Sequence, residues 1–155
     1  MILAFDLGLK ATGIAHDDGS DVLLCPPGLR KSPMTDARRA ARREWWVTSF
    51  VRLVEHLRPD EVWVEAPIVH MAHPSGQTET HRMHGWLDAV LSNADVPRID
   101  VTPAEIKQFA TGHGRASKAD VIAQAWKHGW DGTDDNEADA WWLHRMATER
   151  RAVGL

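Results

Sequence analysis

The order of the apolar segments constrains the fold of this chain more than any other feature of its sequence. Three short strand-like segments come first, and a turn at Asp18-Gly19-Ser20 joins the second to the third. After them, strands alternate with amphipathic helices. This order predicts an α/β fold in which helices pack on a mixed five-stranded sheet. The predicted strands cover residues 2–7, 12–17, 21–25, 61–67 and 98–101.

The helices are predicted from apolar residues that recur at three- and four-residue spacing. In the longest one, at residues 35–58, the arginines mostly occupy the solvent-facing arc. Start signals mark two later helices: Thr102 precedes a proline and Glu105, and Glu137 is a candidate capping partner of Asp134. The predicted helices cover residues 35–58, 77–93, 102–112, 117–128 and 135–151.

Composition sets broad limits on the class of protein. A length of 155 residues fits one domain spanning residues 1–155. The lone cysteine, Cys25, gives no disulfide framework, and the N-terminal segment is neither a signal peptide nor a membrane span. A cytoplasmic protein without a membrane partner is therefore expected. The net charge of −4 does not decide whether DNA is a partner, because basic residues cluster at 38–43 and 145–151.

Three acidic residues stand where the strand and helix patterns call for apolar side chains. Asp6 ends the first strand, Glu65 follows the hydrophobic residues of the fourth, and Asp139 borders the buried face of the last helix. A buried carboxylate is costly unless it is paired or bound to a metal such as Mg²⁺ or Mn²⁺. Taken singly, each has a structural alternative: a hairpin cap for Asp6, a solvent-facing strand end for Glu65, and helix capping for the acids from residue 134 onward.

The combination of these motifs resembles the RuvC-type Holliday junction resolvases of the RNase H-like superfamily. Asp6 is followed by the pattern Gly-x-x-x-Thr-Gly at residues 8–13, Glu65 ends the fourth strand, and Asp-x-x-x-Asp-Ala stands on the last helix. The resemblance covers nearly the whole chain. It implies an RNase H-like fold and a structure-selective endonuclease that nicks four-way DNA junctions.

The resemblance also implies the metal ligands. Asp6, Glu65 and Asp139 fall on the family's metal-binding acids, which implies two Mg²⁺ or Mn²⁺ ions and phosphodiester hydrolysis. The family's fourth ligand, three residues before the last Asp, is usually acidic or histidine, whereas here it is Asn136. Either Asn136, through its carbonyl oxygen, or the neighbouring Asp135 is expected to complete the site.

The DNA contacts are predicted partly from the same resemblance and partly from position, since Arg115 is expected near the acids and Arg82 lies between His81 and His84. Lys107 and Lys118 match basic residues near the scissile phosphate, and Lys118 is expected to stabilise the phosphorane charge or orient the attacking water. The loop after Glu65 offers apolar residues that could wedge between base pairs, where the family often has an aromatic residue. The predicted DNA-binding residues are Lys107, Arg115, Lys118, Ile68, Met71 and Arg82.

Two further groups of residues have alternative interpretations. The His-x-x-His pairs at 70/73 and 81/84 could suggest zinc, but no cysteine lies nearby, so contact with DNA, with the metal site or with solvent is favoured. His81 and His84, on either side of Arg82, could contact phosphate. The arginines at 38–43 form by default a solvated helix face, and alternatively a DNA arm.

The family also suggests partners and an origin. The helix at 77–93 lies at a subunit interface in the family, so a homodimer that acts on branched DNA is expected, although packing within one subunit explains its apolar stripe almost as well. The alternatives are an RNase H-like nuclease for flaps, forks or RNA–DNA hybrids, and a catalytically inactive DNA-binding module. The short form slightly favours a phage-encoded protein acting in a bacterial cell.

Overall fold

The secondary structure consists of five strands and six helices in the described part of the chain. The computed structural model describes residues 1–30, 33–67 and 74–154, without the side chains of residues 74–78. The strands are β1 (Ile2–Asp6), β2 (Ala11–His16), β3 (Gly19–Leu24), β4 (Glu61–Glu65) and β5 (Arg98–Val101). The helices are α1 (Pro27–Arg30), α2 (Asp36–Leu57), α3 (Pro74–Asn93), α4 (Pro103–Thr111), α5 (Lys118–Lys127) and α6 (Asp135–Ala152).

The five strands form one mixed sheet in the order β3-β2-β1-β4-β5. The first three are antiparallel, whereas β1, β4 and β5 are parallel, so the predicted mixed α/β sheet is confirmed. The predicted turn at residues 18–20 is wrong, because Gly19 and Ser20 already belong to β3. His16 pairs with Gly19, so the loop is Asp17-Asp18, and Gly19 enters β3 with a φ of +152° that L side chains rarely adopt.

Side-chain alternation along the strands creates two cores, one on each face of the sheet. Ile2 and Ala4 of β1 face the layer formed by α4, α5 and α6. Leu3 and Phe5 face the layer formed by α2 and α3. The predicted core positions of three tryptophans are confirmed, since each is at most 5% exposed: Trp46, Trp63 and Trp142.

The helix starts agree in part with the sequence signals. Thr102 and Glu105 form the predicted capping box of α4. Asp134 caps α6 and accepts a hydrogen bond from the backbone N–H of Glu137 at 3.4 Å, but the Glu137 side chain does not return the bond that would complete the predicted capping box. The Glu137 carboxylate instead accepts hydrogen bonds from Ser20 Oγ (2.7 Å) and Trp130 Nε1 (3.3 Å), which fastens α6 to β3 and to the preceding loop. α3 begins at Pro74 rather than at residue 77, because proline is well accommodated in the first helical turn.

The chain connections place the C-terminal ends of β1 and β4 and the N-terminal half of α2 at one edge of the sheet. The parallel strands β1 and β4 end side by side. α2 leads into β4 through three residues, and its 22 residues span roughly 33 Å, about twice the length of the strand. Its N-terminal half therefore extends to the edge where β1 and β4 end, here called the carboxyl edge. No helix among the described residues is long and apolar enough to cross a membrane.

Candidate active site

The three predicted acids lie at the carboxyl edge, on the α6 side of the sheet. Asp6 is the last residue of β1 and Glu65 the last residue of β4, and the pairing of Phe5 with Val64 makes them neighbours. Strand alternation points both side chains to the face that α6 covers. Asp139 lies in the second turn of α6, which packs on β1 and β2.

Gly13 allows α6 to approach the sheet closely at this point. A Cβ atom on Gly13 would lie 1.9 Å from the backbone oxygen of Asn136 and 2.9 Å from the nitrogen of Glu137. Any side chain here would push the first turn of α6 away. Since Gly13 pairs with Asp6 across the β1–β2 ladder, this contact brings the start of α6 beside the end of β1.

Electrostatics show that the three carboxyl groups share one environment. Burial, followed by the charges of Glu65 and Asp139, raises the pKa of Asp6 well above its usual value. Burial and the Asp139 charge raise the pKa of Glu65 to about 7. Burial is also the main reason that the pKa of Asp139 rises to about 6. Keeping all three groups ionised without a nearby cation is therefore costly.

The donor atoms suit a hard divalent cation. Carboxylate oxygens are the ligands that Mg²⁺ and Mn²⁺ prefer. In residues 1–30, 33–67 and 74–154, no group of three or more His, Cys, Asp or Glu side chains is close enough together to hold a metal ion as it stands. Carboxylates repel one another when no cation lies between them. The donor atoms of the three acids thus fit a divalent metal in their chemistry.

Lys118 brings a positive charge to the acids. It is the first residue of α5, and its ammonium group forms an ion pair with the carboxylate of Asp135 at the start of α6. Hydrogen bonding to Lys118 lowers the pKa of Asp135, and the same bond raises the pKa of Lys118. The Lys118 charge also opposes the rise in pKa of Asp6, Glu65 and Asp139.

Asn136 presents its carbonyl oxygen to the loop that follows Asp6. Its Nδ2 group donates to Asp134 Oδ1 at 3.0 Å, which fixes the orientation of the amide. The Oδ1 atom lies 3.9 Å from the position that a Cβ atom would take on Gly8, two residues after Asp6. Asp135 and Asn136 therefore differ in their contacts. Asp135 forms an ion pair with Lys118, whereas Asn136 directs its carbonyl oxygen toward the end of β1.

The other predicted DNA-binding residues are distributed over the molecule. The charge of Lys107 opposes the rise in the pKa of Glu65 and Asp139, so Lys107 lies near these two acids. Arg115 is exposed. Arg82 lies on α3 in the opposite layer, where it pairs with Glu79 at 2.7 Å. The other two predicted DNA-binding residues, Ile68 and Met71, lie outside the described residues, and so do His70 and His73.

One histidine prediction is wrong. His84 is only 6% exposed, and its Nδ1 atom lies 2.8 Å from Arg98 Nη2, so it cannot reach a phosphate at the surface. Arg98 also pairs with Asp88 and Asp100 at 2.6 Å each, and together these contacts join α3 to β5. Apolar periodicity around α3 gives no sign of this polar contact, because Arg98 is brought to His84 only by folding.

Comparison with known proteins identifies the relatives of the chain. No protein-family model matches it. The crossover junction endodeoxyribonuclease RuvC of Salinibacter ruber is 30% identical over 124 residues, which cover 78% of this chain and 68% of that protein. The crossover junction endodeoxyribonuclease RuvC of Halorhodospira halophila is 32% identical over 121 residues, which cover 77% of this chain and 71% of that protein.

Solved structures share the fold. The RuvC structure of Thermus thermophilus has a TM-score of 0.74 at 18% identity, over 99% of this chain and 96% of that one. The same protein in complex with Holliday junction substrate has a TM-score of 0.76 at 19% identity, over 99% and 95% of the two chains. The expected RNase H-like fold is thus confirmed. Given its curated relatives, this chain belongs to the RuvC family of crossover junction endodeoxyribonucleases.

Proposed function

We propose that this chain is a structure-selective endonuclease that nicks four-way DNA junctions by metal-dependent phosphodiester hydrolysis. One observation carries the proposal: three carboxyl groups with raised pKa values, Asp6, Glu65 and Asp139, share the carboxyl edge beside Lys118. Its relatives are named crossover junction endodeoxyribonucleases, and a RuvC of the same fold has been solved with Holliday junction substrate. Both findings favour branched DNA over other nucleic acids.

Nucleases of the RuvC family depend on divalent metal ions. We assign Asp6, Glu65 and Asp139 as the carboxylate ligands of Mg²⁺ or Mn²⁺, with two ions in each site. When bound, such ions activate a water molecule and stabilise the leaving 3′-oxygen. The three side chains themselves fix where the ions can lie, since two come from rigid parallel strands and one from a helix packed on them.

Asn136 is the better candidate for the fourth ligand. Its amide nitrogen is held by Asp134, so its carbonyl oxygen is available on the side of Gly8 and Asp6. Asp135 is already paired with Lys118. An amide oxygen coordinates hard cations without adding a further negative charge to a site that already carries three. We thus assign Asn136 to metal binding and Asp135 to holding Lys118 in place.

Lys118 is positioned to interact with the scissile phosphate. Its pairing with Asp135 raises the pKa of the ammonium group, which therefore stays charged at neutral pH. Held next to the acids, it would donate a charge-assisted hydrogen bond to a phosphate oxygen and stabilise negative charge that develops there, or orient the attacking water. Lys107 adds a second positive charge near Glu65 and Asp139.

The substitution Asp6→Asn tests the proposal. With Mg²⁺ or Mn²⁺, the unmodified protein should nick a four-way junction in preference to a fork or an RNA–DNA hybrid. Asp6→Asn should lose cleavage by several orders of magnitude while still binding the junction in EDTA, because it removes a metal ligand and no DNA contact. Asp18→Asn, in the exposed hairpin loop, is the matched control and should cleave normally. Cleavage by Asp6→Asn at the normal rate would refute the site.

We also propose that the protein acts as a homodimer through α3. An apolar groove runs between α2 and α3, and its lining includes Val47, Val51, Trp86, Ala89 and Val90. A second copy packed on this groove would cover these side chains. A two-fold dimer would present two acid sites to a junction that itself has two-fold symmetry.

A further inference from the structure

A depression between the N-terminal halves of α2 and α3 carries arginines on both walls. We call it the arginine depression; its lining includes Asp36, Arg39, Arg43, Glu79, Arg82 and Trp86. It lies on the α2–α3 side of the sheet and is separate from the acids described above, which face α6. Clustered arginines on two elements suggest a site for an anion, because guanidinium groups pair with phosphate through two parallel hydrogen bonds.

Glu79 holds the two walls together. Its side chain is 16% exposed, and its two oxygens pair with Arg42 Nη2 at 2.6 Å and with Arg82 Nη1 at 2.7 Å. Arg42 is almost fully buried behind the depression, whereas Arg82 is 56% exposed. The carboxylate is therefore shared between two cations, which leaves a net positive charge around it.

The surface arginines of α2 add to that charge. Arg39 and Arg43 are both exposed. Among the described residues, Arg39 forms an ion pair only with Asp36, at 3.4 Å, and the Asp36 side chain is fully exposed, so water screens this pair strongly. Arg43 has no carboxylate within ion-pair distance in the part of the chain that the structure describes. Positive charge therefore exceeds negative charge around the arginine depression. The two carboxylates are those of Asp36 and Glu79, and the four guanidinium groups are those of Arg39, Arg42, Arg43 and Arg82.

The arginine depression lies toward the same edge of the sheet as the acids. Arg39 and Arg43 belong to the half of α2 that extends to the carboxyl edge. Burial raises the pKa of the Cys25 thiol and the charge of Arg42 opposes that rise, so Arg42 lies near Cys25. The backbone N–H of Cys25 donates to the oxygen of Lys10, at 3.0 Å, in the loop that follows Asp6.

We propose that the arginine depression binds a backbone phosphate of a duplex arm of branched DNA. The inference rests on the proposed function, since a DNA lying across the carboxyl edge could meet Lys118 on one face of the sheet and Arg43 on the other. Sequence-independent contacts of this kind fix the position of a duplex on its enzyme. The arginines of α2, which by default form a solvated helix face, then extend the DNA-binding surface beyond the acid site.

Junction binding at several salt concentrations tests the inference. The variants are Arg43→Gln and Arg39→Gln/Arg43→Gln, with Arg52→Gln as a control, because Arg52 is also exposed on α2 but lies nine residues beyond Arg43. Binding is measured in EDTA, so cleavage plays no part. The double variant should bind roughly tenfold more weakly at low salt, and the slope of log Kd against log salt should fall by about 0.9 for each phosphate that the variant no longer neutralises.

Each outcome has a distinct meaning. If the unmodified protein does not bind branched DNA, the proposed function itself fails. If it binds and cleaves junctions but the double variant has the same affinity and salt slope as Arg52→Gln, only the arginine depression is refuted. A change of oligomeric state in sedimentation, with an unchanged salt slope, would refute it as well and assign the arginines to contact between subunits.

Discussion

At the scale of residues, the buried carboxylates of Asp6, Glu65 and Asp139 should oppose folding when no metal is bound. Asp139 illustrates this, because burial raises its pKa to about 6 and the neighbouring Asp135 adds repulsion. Asp139→Asn should therefore raise the metal-free stability at pH 8 by on the order of 2 kcal/mol while abolishing cleavage. Thermal unfolding in EDTA and a junction-nicking assay measure the two effects.

A control variant separates this effect from a general decrease in negative charge. Asp18→Asn removes an exposed carboxylate and should change the stability by less than about 0.5 kcal/mol. Added Mg²⁺ should raise the unfolding temperature of the unmodified protein more than that of Asp139→Asn. If Asp139→Asn were less stable than the unmodified protein in EDTA, the carboxylate would have a structural partner and not a metal.

Gly13 provides a second prediction at the residue scale. A Cβ atom at this position would meet backbone atoms of Asn136 that no side-chain rotation can move. Gly13→Ala should lower the stability by roughly 2 kcal/mol or more, and it should also weaken cleavage because α6 carries Asp139. Gly28→Ala, where a Cβ meets nothing within 4 Å, is the control. Normal cleavage by Gly13→Ala would show that α6 need not approach β2 so closely.

At the scale of elements, the contact of α3 with β5 should depend on pH. Burial, then the charge of Arg98, lowers the pKa of His84 to about 4, although Asp100 and Asp88 oppose the shift and His81 adds to it. The unfolded chain takes up a proton near pH 6.5 and the folded chain does not. The contribution of neutral His84 to the free energy of unfolding is therefore fully present above pH 6.5 and is lost as the pH falls toward 4.

The variant His84→Gln isolates this contribution, because an amide can accept from Arg98 and does not titrate. Between pH 7 and pH 4, the unmodified protein should lose on the order of 3 kcal/mol more than the variant. Urea unfolding at several pH values measures the difference. Parallel pH profiles of the two proteins would show that His84 titrates normally in the fold.

The elements themselves could be predicted from local patterns, and the errors have physical causes. All five strands follow from apolar runs, and Thr102 marks the start of α4 correctly, since these features depend on neighbours in sequence. The role of Glu137 could not be predicted, because its partners Ser20 and Trp130 are brought to it only by folding. The pairing of Lys118 with Asp135, across two helices, could not be predicted for the same reason.

At the scale of the whole molecule, the net charge of −4 conceals an uneven distribution. Asp6, Glu65 and Asp139, whose charges interact, lie at the carboxyl edge of the sheet, where bound metal ions would neutralise them. Lys118 lies on one side of that end, and Arg39 and Arg43 lie toward the same end on the other face. A net negative charge is thus compatible with binding DNA, because a duplex senses the local charge within about 10 Å at moderate salt.

The oligomeric state also belongs to the whole molecule, and a single substitution on α3 tests it. Ala89 is exposed and lies in the apolar groove between α2 and α3, so Ala89→Arg places a charge where a second copy should pack. Sedimentation should show a dimer for the unmodified protein and a monomer for the variant. The variant should also no longer cut the two opposing strands of a junction in a coordinated way. Ala152→Arg, exposed at the end of α6, should remain dimeric. A dimeric Ala89→Arg would move the interface away from α3.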